Sequence, residues 1–197
     1  MDLEKKMIEG IKKDPLKKYI LFLLNSNNNE HIKGKTKFMK ELFFISKNIP
    51  PLENEAGFEP DNFGPNSDAA ANILHELAML GLIDSKKEDY KLTEDGEKLL
   101  KKVDDLPKNE ENMIFFMKDL FNDLTYDESL ALVYCNYPNM TSESLVKDKI
   151  MGKRKKLALS LLKKGKISKS KAAEIYGVPL RDFYDILHKK GVSIELA

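Results

Sequence analysis

The residues best suited to chemistry lie in residues 157–192, where their spacing predicts a helix-turn-helix. Ala173 supplies the small residue needed where two helices cross. Gly177 tolerates the positive φ of a tight turn, and Phe183 stands where it can pin the second helix to the first. Four further residues are predicted to point inward: Ala172, Tyr176, Val178 and Ile186.

The outward residues of the second helix predict contacts with DNA bases. They are Leu180, Arg181, Tyr184, Asp185 and His188. A helix with such side chains fits the major groove, where arginine pairs with guanine and apolar groups touch the thymine methyl. Arg181 and Tyr184 are therefore predicted to reach bases, and Leu180 to touch a thymine methyl. Because this fold also mediates protein contacts, a protein-docking or purely structural role stays open.

A basic block opens the same region. Residues 147–171 contain eleven Lys or Arg and a single acid, Asp148. Such a block can neutralise phosphates and makes binding depend on salt. The predicted DNA-binding residues of this block are Lys166, Ser168, Lys169 and Lys171. The three lysines are predicted to hold phosphates. The alternative is a solvated lysine-rich helix face.

A second lysine cluster surrounds the tetrapeptide GKTK at residues 34–37. It lacks the upstream glycine and the preceding apolar strand of a phosphate-binding loop. Nucleotide binding is therefore not expected. Lys33, Lys35 and Lys37 are predicted to contact phosphates or to be solvated.

The residue types that support metal binding or catalysis are scattered. His31, His75 and His188 are far apart and have no paired ligands nearby in the sequence. Cys135 lies in an apolar run, which is typical of a buried structural thiol. Because no catalytic signature is present, we predict no enzyme activity, no cofactor and no metal site.

Length and composition indicate a helical protein outside the membrane. The 197 residues, 42% of them hydrophobic, are enough for one large domain or two small ones. No apolar run approaches the ~20 residues that span a bilayer. A single cysteine excludes an intrachain disulfide and fits a reducing compartment. We therefore predict a mainly α, cytoplasmic protein with no membrane partner.

The chain divides into three predicted units. Residues 1–105 form a winged-helix-like domain and residues 106–150 a helical connector that packs on it. Residues 151–197 form the helix-turn-helix domain, with residues 193–197 as a short tail.

The first unit begins with two predicted helices. Pro15 starts one, residues 25–30 (NSNNNE) form a polar loop, and residues 33–47 form the other with Thr36 as N-cap. The acidic segment 49–68 is too long for an ordinary connector. It is predicted to carry a function or to pack as a lid.

A third helix is predicted at residues 69–80, capped by Ser67 or Asp68. It carries acidic residues, including Glu76, and no Lys or Arg, so it would repel a phosphate backbone. The first unit is therefore predicted to serve protein contact or dimerisation.

A β-hairpin is predicted next, with strands at residues 82–84 and 90–92. Thr93 caps a helix that runs to about Val103. Three helices followed by a hairpin is the order of a winged helix-turn-helix.

The middle unit is predicted to be a helical hairpin, with Thr125 as the N-cap of its second helix. Its first helix has seven predicted core residues: Met113, Ile114, Phe116, Met117, Leu120, Phe121 and Leu124. The dipeptides Phe43-Phe44 and Phe115-Phe116 are interpreted as core. Because adjacent helical residues point in different directions, one of each pair is expected to contact another partner or to be exposed.

Several motifs of the first two units resemble a known family. GKTKF-x-KELFF, FEPDNFGPNS at residues 58–67, GLI at 81–83 and YKLTEDG at 90–96 resemble the winged-helix-like Panacea domain of prokaryotic antitoxins and related archaeal regulators. The resemblance covers about residues 15–140. It implies neutralisation of a toxin by direct contact.

The C-terminal unit resembles small, largely uncharacterised prokaryotic helix-turn-helix proteins proposed as antitoxins or regulators. The resemblance covers residues 154–192. It is carried by the KGKIS, KAAE, GV and KKGV motifs.

Two hypotheses follow. In the first, the chain is a sequence-specific DNA-binding transcriptional regulator of double-stranded DNA, and a palindromic site would imply a homodimer. In the second, it is a non-catalytic interaction module, most simply an antitoxin. The acidic residues 52–61 and the middle unit would then face the toxin. The two roles are compatible.

Overall fold

The structure, a computed structural model, describes residues 3–191. Val192 and the predicted tail, residues 193–197, lie outside the described residues. Within them the chain forms twelve α-helices and a small three-stranded sheet. The predicted mainly α class is confirmed.

The first half of the chain folds around one apolar core. Ile20, Leu24, Phe38 and Leu42 are completely buried in it. Its elements are α1 (Leu3–Lys13), α2 (Pro15–Asn29), β1 (Ile32–Lys33), α3 (Lys35–Ser46), α4 (Pro50–Ala56), α5 (Asp68–Met79), β2 (Ile83–Asp84), β3 (Asp89–Leu92) and α6 (Glu94–Leu100).

The helix starts follow ordinary capping rules. Pro15 opens α2, as predicted. The Ser67 and Thr93 hydroxyls cap α5 and α6 and confirm two predicted caps. The N-cap of α3 is Gly34, at φ 93°, so the prediction of Thr36 is wrong. Thr36 lies inside the helix, because the chain enters the helix two residues earlier, at Gly34, through a backbone conformation that suits glycine.

The predicted hairpin is confirmed, and a third strand extends it. β2 and β3 pair antiparallel, with Ile83 opposite Leu92, and β1 adds to the other edge of β3. Asn29 joins α2 to this sheet. Its side chain accepts a hydrogen bond from the Leu92 amide (2.8 Å) and donates one to the Leu92 carbonyl (3.0 Å). The predicted polar loop 25–30 thus ends α2 and holds the sheet, with Asn27 at positive φ.

Residues 49–68 are not one long loop, because α4 occupies residues 50–56. Hydrogen bonds from two other parts of the chain hold the rest of this segment. Lys40 Nζ donates to the Pro65 carbonyl (2.8 Å), and the Leu145 amide donates to the Asn62 carbonyl (3.0 Å).

The middle of the chain forms α7 (Lys108–Asn122) and α8 (Tyr126–Asn136). α7 packs on α2 and α3, and Ile114 enters the first core. Thr125 and Glu128 form a complete capping box at the start of α8. The prediction that Phe116 is core is wrong. Phe115 and Phe116 both lie on the solvent side of α7 and are 55% and 58% exposed.

The last four helices are α9 (Lys147–Gly152), α10 (Arg154–Lys163), α11 (Lys169–Tyr176) and α12 (Leu180–Lys189). Phe121 of α7, Leu161 of α10 and Ile175 of α11 share one buried cluster. The α10–α12 unit is therefore packed against the middle helices. No helix among residues 3–191 combines the length and apolarity needed to cross a bilayer.

Candidate nucleic-acid interface

The turn between α11 and α12 is built around Gly177. Gly177 adopts φ 89°, and its amide donates to the carbonyls of Ala173 and Glu174. The Arg154 guanidinium covers the turn, donating to the carbonyls of Glu174 (2.9 Å) and Ile175 (2.6 Å). A Cβ at residue 177 would lie 2.9 Å from that guanidinium. The turn thus needs glycine both for its backbone angle and for the space that Arg154 fills.

A small core fixes the angle between α11 and α12. Ala173 and Phe183 are buried as predicted, and the rings of Tyr176 and Phe183 meet edge to face at 5.4 Å. Ala172 is also buried, whereas Val178 and Ile186 are half-buried. Leu187, which the sequence interpretation missed, completes the cluster.

All five predicted base-contacting residues are exposed. They are Leu180, Arg181, Tyr184, Asp185 and His188. The spacing places them on successive turns of one side of α12. Within the described residues, none of their side chains takes part in an ion pair. We call these residues the α12 face.

The N-terminus of α11 lies beside the α12 face. Lys169 Nζ is 5.9 Å from the ring centre of Tyr184. Ser168 precedes it as the N-cap of α11, and its hydroxyl accepts a hydrogen bond from the Lys171 amide (3.1 Å). Lys171 forms an ion pair with Glu174 (2.7 Å). Of the lysines predicted to hold phosphates, Lys169 is therefore the one that lies beside the α12 face, and the predicted DNA-binding residue Ser168 is its neighbour in the chain.

Lys166 is directed elsewhere. Its ammonium lies 2.5 Å from Asp123 and 3.5 Å from Asp119, at the C-terminal end of α7. The hydrogen bond to Asp123 raises the pKa of Lys166. This lysine holds α7 against the turn before α11, so a phosphate would have to displace two carboxylates.

Other lysines bind backbone carbonyls at helix ends. Lys37 donates to the carbonyls of Asn122 (3.2 Å) and Leu124 (3.0 Å), and caps the end of α7. The prediction that Lys37 contacts phosphate or is solvated is therefore wrong. Lys118, completely buried, donates to the carbonyls of Leu24 (2.7 Å) and Ser26 (2.8 Å) where α2 ends. Burial lowers the pKa of Lys118 to about 8.

One buried carboxyl lies near these lysines. Glu41 is fully buried, and neither of its carboxylate oxygens has a hydrogen-bond partner within residues 3–191. Burial raises its pKa well above the ordinary value, opposed by the charges of Lys118 and Lys37. Glu41 lies in α3 and Lys118 in α7, so this group belongs to the packing of the N-terminal core and not to the α12 face.

Glu128 connects the helix-turn-helix to the rest of the protein. Its carboxylate accepts hydrogen bonds from Thr125 N (2.8 Å), Ser160 Oγ (2.7 Å) and Lys164 Nζ (2.6 Å). Desolvation acts to raise the pKa of Glu128, but the hydrogen bonds from Lys164, Ser160 and Thr125 hold it at about 2. α8 and α10 are thus joined through one ionised carboxylate.

The surface around α5 is acidic and apolar, in contrast to the lysine-bearing N-terminus of α11. A groove of about 410 Å³ at its N-terminal end is lined by acidic residues, among them Glu55, Glu59, Asp61 and Asp68. Met79, at the other end of the helix, is 76% exposed. An acidic and apolar face is poorly suited to phosphate.

The other residue types considered for chemistry are the histidines and the single cysteine. Among residues 3–191, no three His, Cys, Asp or Glu side chains are grouped so that they could hold a metal ion. Cys135 is a free, half-buried thiol, and burial raises its pKa. Its reactivity as a nucleophile is therefore lowered.

Comparison with known protein families matches the C-terminal part of the chain. The sequence profile of an uncharacterised protein family, UPF0175, matches residues 135–197. The matched region contains the end of α8 and all of α9–α12, and so includes the whole helix-turn-helix. Neither a curated protein nor a solved structure matches the chain.

Proposed function

We propose that this protein is a sequence-specific DNA-binding transcriptional regulator that places α12 in the major groove. The observation that supports it best is the exposed α12 face, which adjoins Ser168 and Lys169. A recognition helix needs base-reading side chains beside groups that hold the backbone.

The side chains of the α12 face suggest a division of roles. Arg181 can donate two hydrogen bonds to guanine, and Asp185 can accept one from the amino group of cytosine. Leu180 can touch a thymine methyl. Ser168 and Lys169 would hold the phosphate backbone, whereas Lys166 contributes less because two carboxylates already bind it.

We propose that the N-terminal unit is a winged-helix domain, with β2 and β3 as the wing; the β2–β3 hairpin that follows α5 supports this interpretation. Its α5 would be the recognition helix, but the residues Asp68–Met79 include no Lys or Arg. We propose that this unit contacts protein. A second candidate function, antitoxin activity, rests on the acidic groove beside α5, which suits a basic partner protein. It also agrees with the resemblance to the Panacea domain.

Selection of binding sites from random duplex DNA, with the full-length protein at two salt concentrations, tests the proposal. We expect one motif to be enriched at both concentrations. Arg181→Ala should weaken binding to the selected site by ~1–3 kcal/mol and relax one base position. Lys169→Ala should weaken binding to all sequences and reduce the salt slope by about 1.

Lys98→Ala is the matched control, because Lys98 is an exposed lysine on α6, in the N-terminal unit. It should bind as the wild type does. Binding that shows no enriched motif and disappears at the higher salt would contradict the proposal. Salt-insensitive capture of a basic protein without DNA would favour the antitoxin role.

A further inference from the structure

Two neighbouring grooves flank the start of α3, and Lys35 and Thr36 line both of them. One groove, of about 360 Å³, lies between α3 and the first turn of α8, where Tyr126 lines it. The other, of about 290 Å³, lies between α3 and the loop that carries Phe63. Because the grooves meet at the same two residues, they form one continuous surface. We call the lining of these two grooves the α3 surface.

Each groove of the α3 surface has an exposed aromatic ring. Tyr126 is 45% exposed and Phe63 is 41% exposed. Leu145 is also exposed and lies near Phe63, because its amide donates to the carbonyl of Asn62 (3.0 Å). An exposed aromatic ring offers a flat face on which a nucleic-acid base can stack. Since the bases of a duplex already stack on each other, such rings favour a single strand.

The charges of the α3 surface complement phosphate. The charged residues that line it are four lysines and one acid: Lys33, Lys35, Lys37, Lys40 and Asp61. Lys37 and Lys40 already donate to backbone carbonyls. Lys33 and Lys35 are exposed, and neither takes part in an ion pair in the part of the chain that the structure describes. Two ammonium groups are therefore available to bind phosphates.

A hydroxyl group at the meeting point of the grooves suits a ribose. Thr36 lines both grooves, and among residues 3–191 its hydroxyl has no hydrogen-bond partner. A hydroxyl can donate a hydrogen bond to a ribose 2′-hydroxyl or accept one from it, and deoxyribose lacks this group. The α3 surface therefore suits RNA better than DNA.

We propose that the α3 surface binds single-stranded RNA. Bases stack on Tyr126 and Phe63, and Lys33 and Lys35 bind the phosphates, while Thr36 contacts a ribose. The α3 surface shares no residue with the α12 face. The proposal is therefore independent of the recognition of duplex DNA by α12.

Fluorescence anisotropy of a labelled oligouridylate of about 12 nucleotides, titrated with the full-length protein, tests this proposal. Tyr126→Ala and Phe63→Ala should each raise the dissociation constant about 5- to 100-fold, because each variant loses one stacked base. Tyr126→Phe keeps the ring and should bind as the wild type does. The double variant K33A/K35A should reduce the salt slope by about 1.4, because each phosphate contact of a single strand contributes about 0.7.

Phe116→Ala and Lys98→Ala are the matched controls. Phe116 is an exposed aromatic residue on α7, and Lys98 is an exposed lysine on α6. Both variants should bind the oligouridylate with the affinity of the wild type. R181A should also keep its affinity for the oligouridylate, and Tyr126→Ala should select the same duplex motif as the wild type. Failure of this proposal is therefore distinguishable from failure of the proposed function.

Three results would overturn the proposal. The first is an oligouridylate that does not bind at a protein concentration of about 100 µM, or whose binding is unaffected by Tyr126→Ala and Phe63→Ala. The second is equal affinity for an oligothymidylate of the same length, which would overturn the assignment to RNA. The third is loss of RNA binding in R181A, which would place the strand on the α12 face instead.

Discussion

Replacing Glu128 with Gln should uncouple the helix-turn-helix from the middle helices. The carboxylate is 2% exposed and joins the start of α8 to Ser160 and Lys164 of the α10 region. Gln keeps the shape of the side chain but removes its charge. Gln also replaces one carboxylate oxygen by an amide NH2 group. This group is a hydrogen-bond donor, and it would face the donors that now bind the carboxylate.

The magnitude follows from the pKa of Glu128. It falls from the ordinary 4.5 to about 2 in the folded protein. At about 1.4 kcal/mol per pKa unit, the ionised carboxylate contributes about 3 kcal/mol at neutral pH. Because the folded pKa is the lower one, this contribution is present above pH 4.5 and is lost as the pH falls toward 2. About 1.4 kcal/mol of it should be gone at pH 3.5.

Urea denaturation of both proteins between pH 7 and pH 3.5 measures the effect. E128Q should lower the free energy of unfolding by about 2–3 kcal/mol at pH 7. The difference from the wild type should shrink by about 1.4 kcal/mol at pH 3.5. Glu94→Gln is the control, since the Glu94 side chain is 93% exposed; its effect should stay within about 0.5 kcal/mol.

Two results would refute this reasoning. One is a variant as stable as the wild type at pH 7. The other is a loss of stability that stays constant with pH, because a purely steric effect of the substitution would not titrate.

Three further substitutions test the fold around the site. Lys118→Met should cost ~1–3 kcal/mol of unfolding free energy, because it leaves the carbonyls of Leu24 and Ser26 without their donor. It should also abolish the gain in stability that the wild type shows as the pH rises from about 8 toward 10.5, because the folded-state pKa is the lower one. Gly177→Ala should lower stability by ~1–3 kcal/mol, more than Gly165→Ala, where φ is also positive but no atom lies within 4 Å of the new Cβ. Asn29→Ala should cost ~1–3 kcal/mol in thermal unfolding, because it leaves two backbone groups of β3 without their partner.

The helix-turn-helix could be predicted from sequence because its determinants are local. Gly177, Ala173 and Phe183 act within about ten residues of one another, and each has a steric reason for its type. The β2–β3 hairpin and the caps at Ser67 and Thr93 were predictable for the same reason.

The lysines show where sequence reasoning fails. Composition treats each lysine as a surface charge, yet Lys37, Lys118 and Lys166 bind groups that lie 43 or more residues away. Which lysine meets a helix end depends on how the helices pack, and no local pattern reports that. Glu128 had a usable signal, the Thr-x-x-Glu capping box. Its second role, toward Ser160 and Lys164, comes only from the tertiary fold.

The exposed aromatic pair was mispredicted for a related reason. Helical periodicity allows either side of α7 to be the apolar one near residue 116. In the structure Ile114, Lys118 and Phe121 face inward and Phe116 faces the solvent. A buried lysine at a core position contradicts the usual pattern, so its effect could not be anticipated.

The central claim, that α12 reads DNA bases, is tested most directly by one affinity profile. The selected duplex and all its single base-pair substitutions would be titrated with the wild type and with R181A. The account predicts that R181A loses discrimination at one guanine position and keeps it at the others. A profile with the same discrimination at every position would contradict it, because Arg181 would then contact no base.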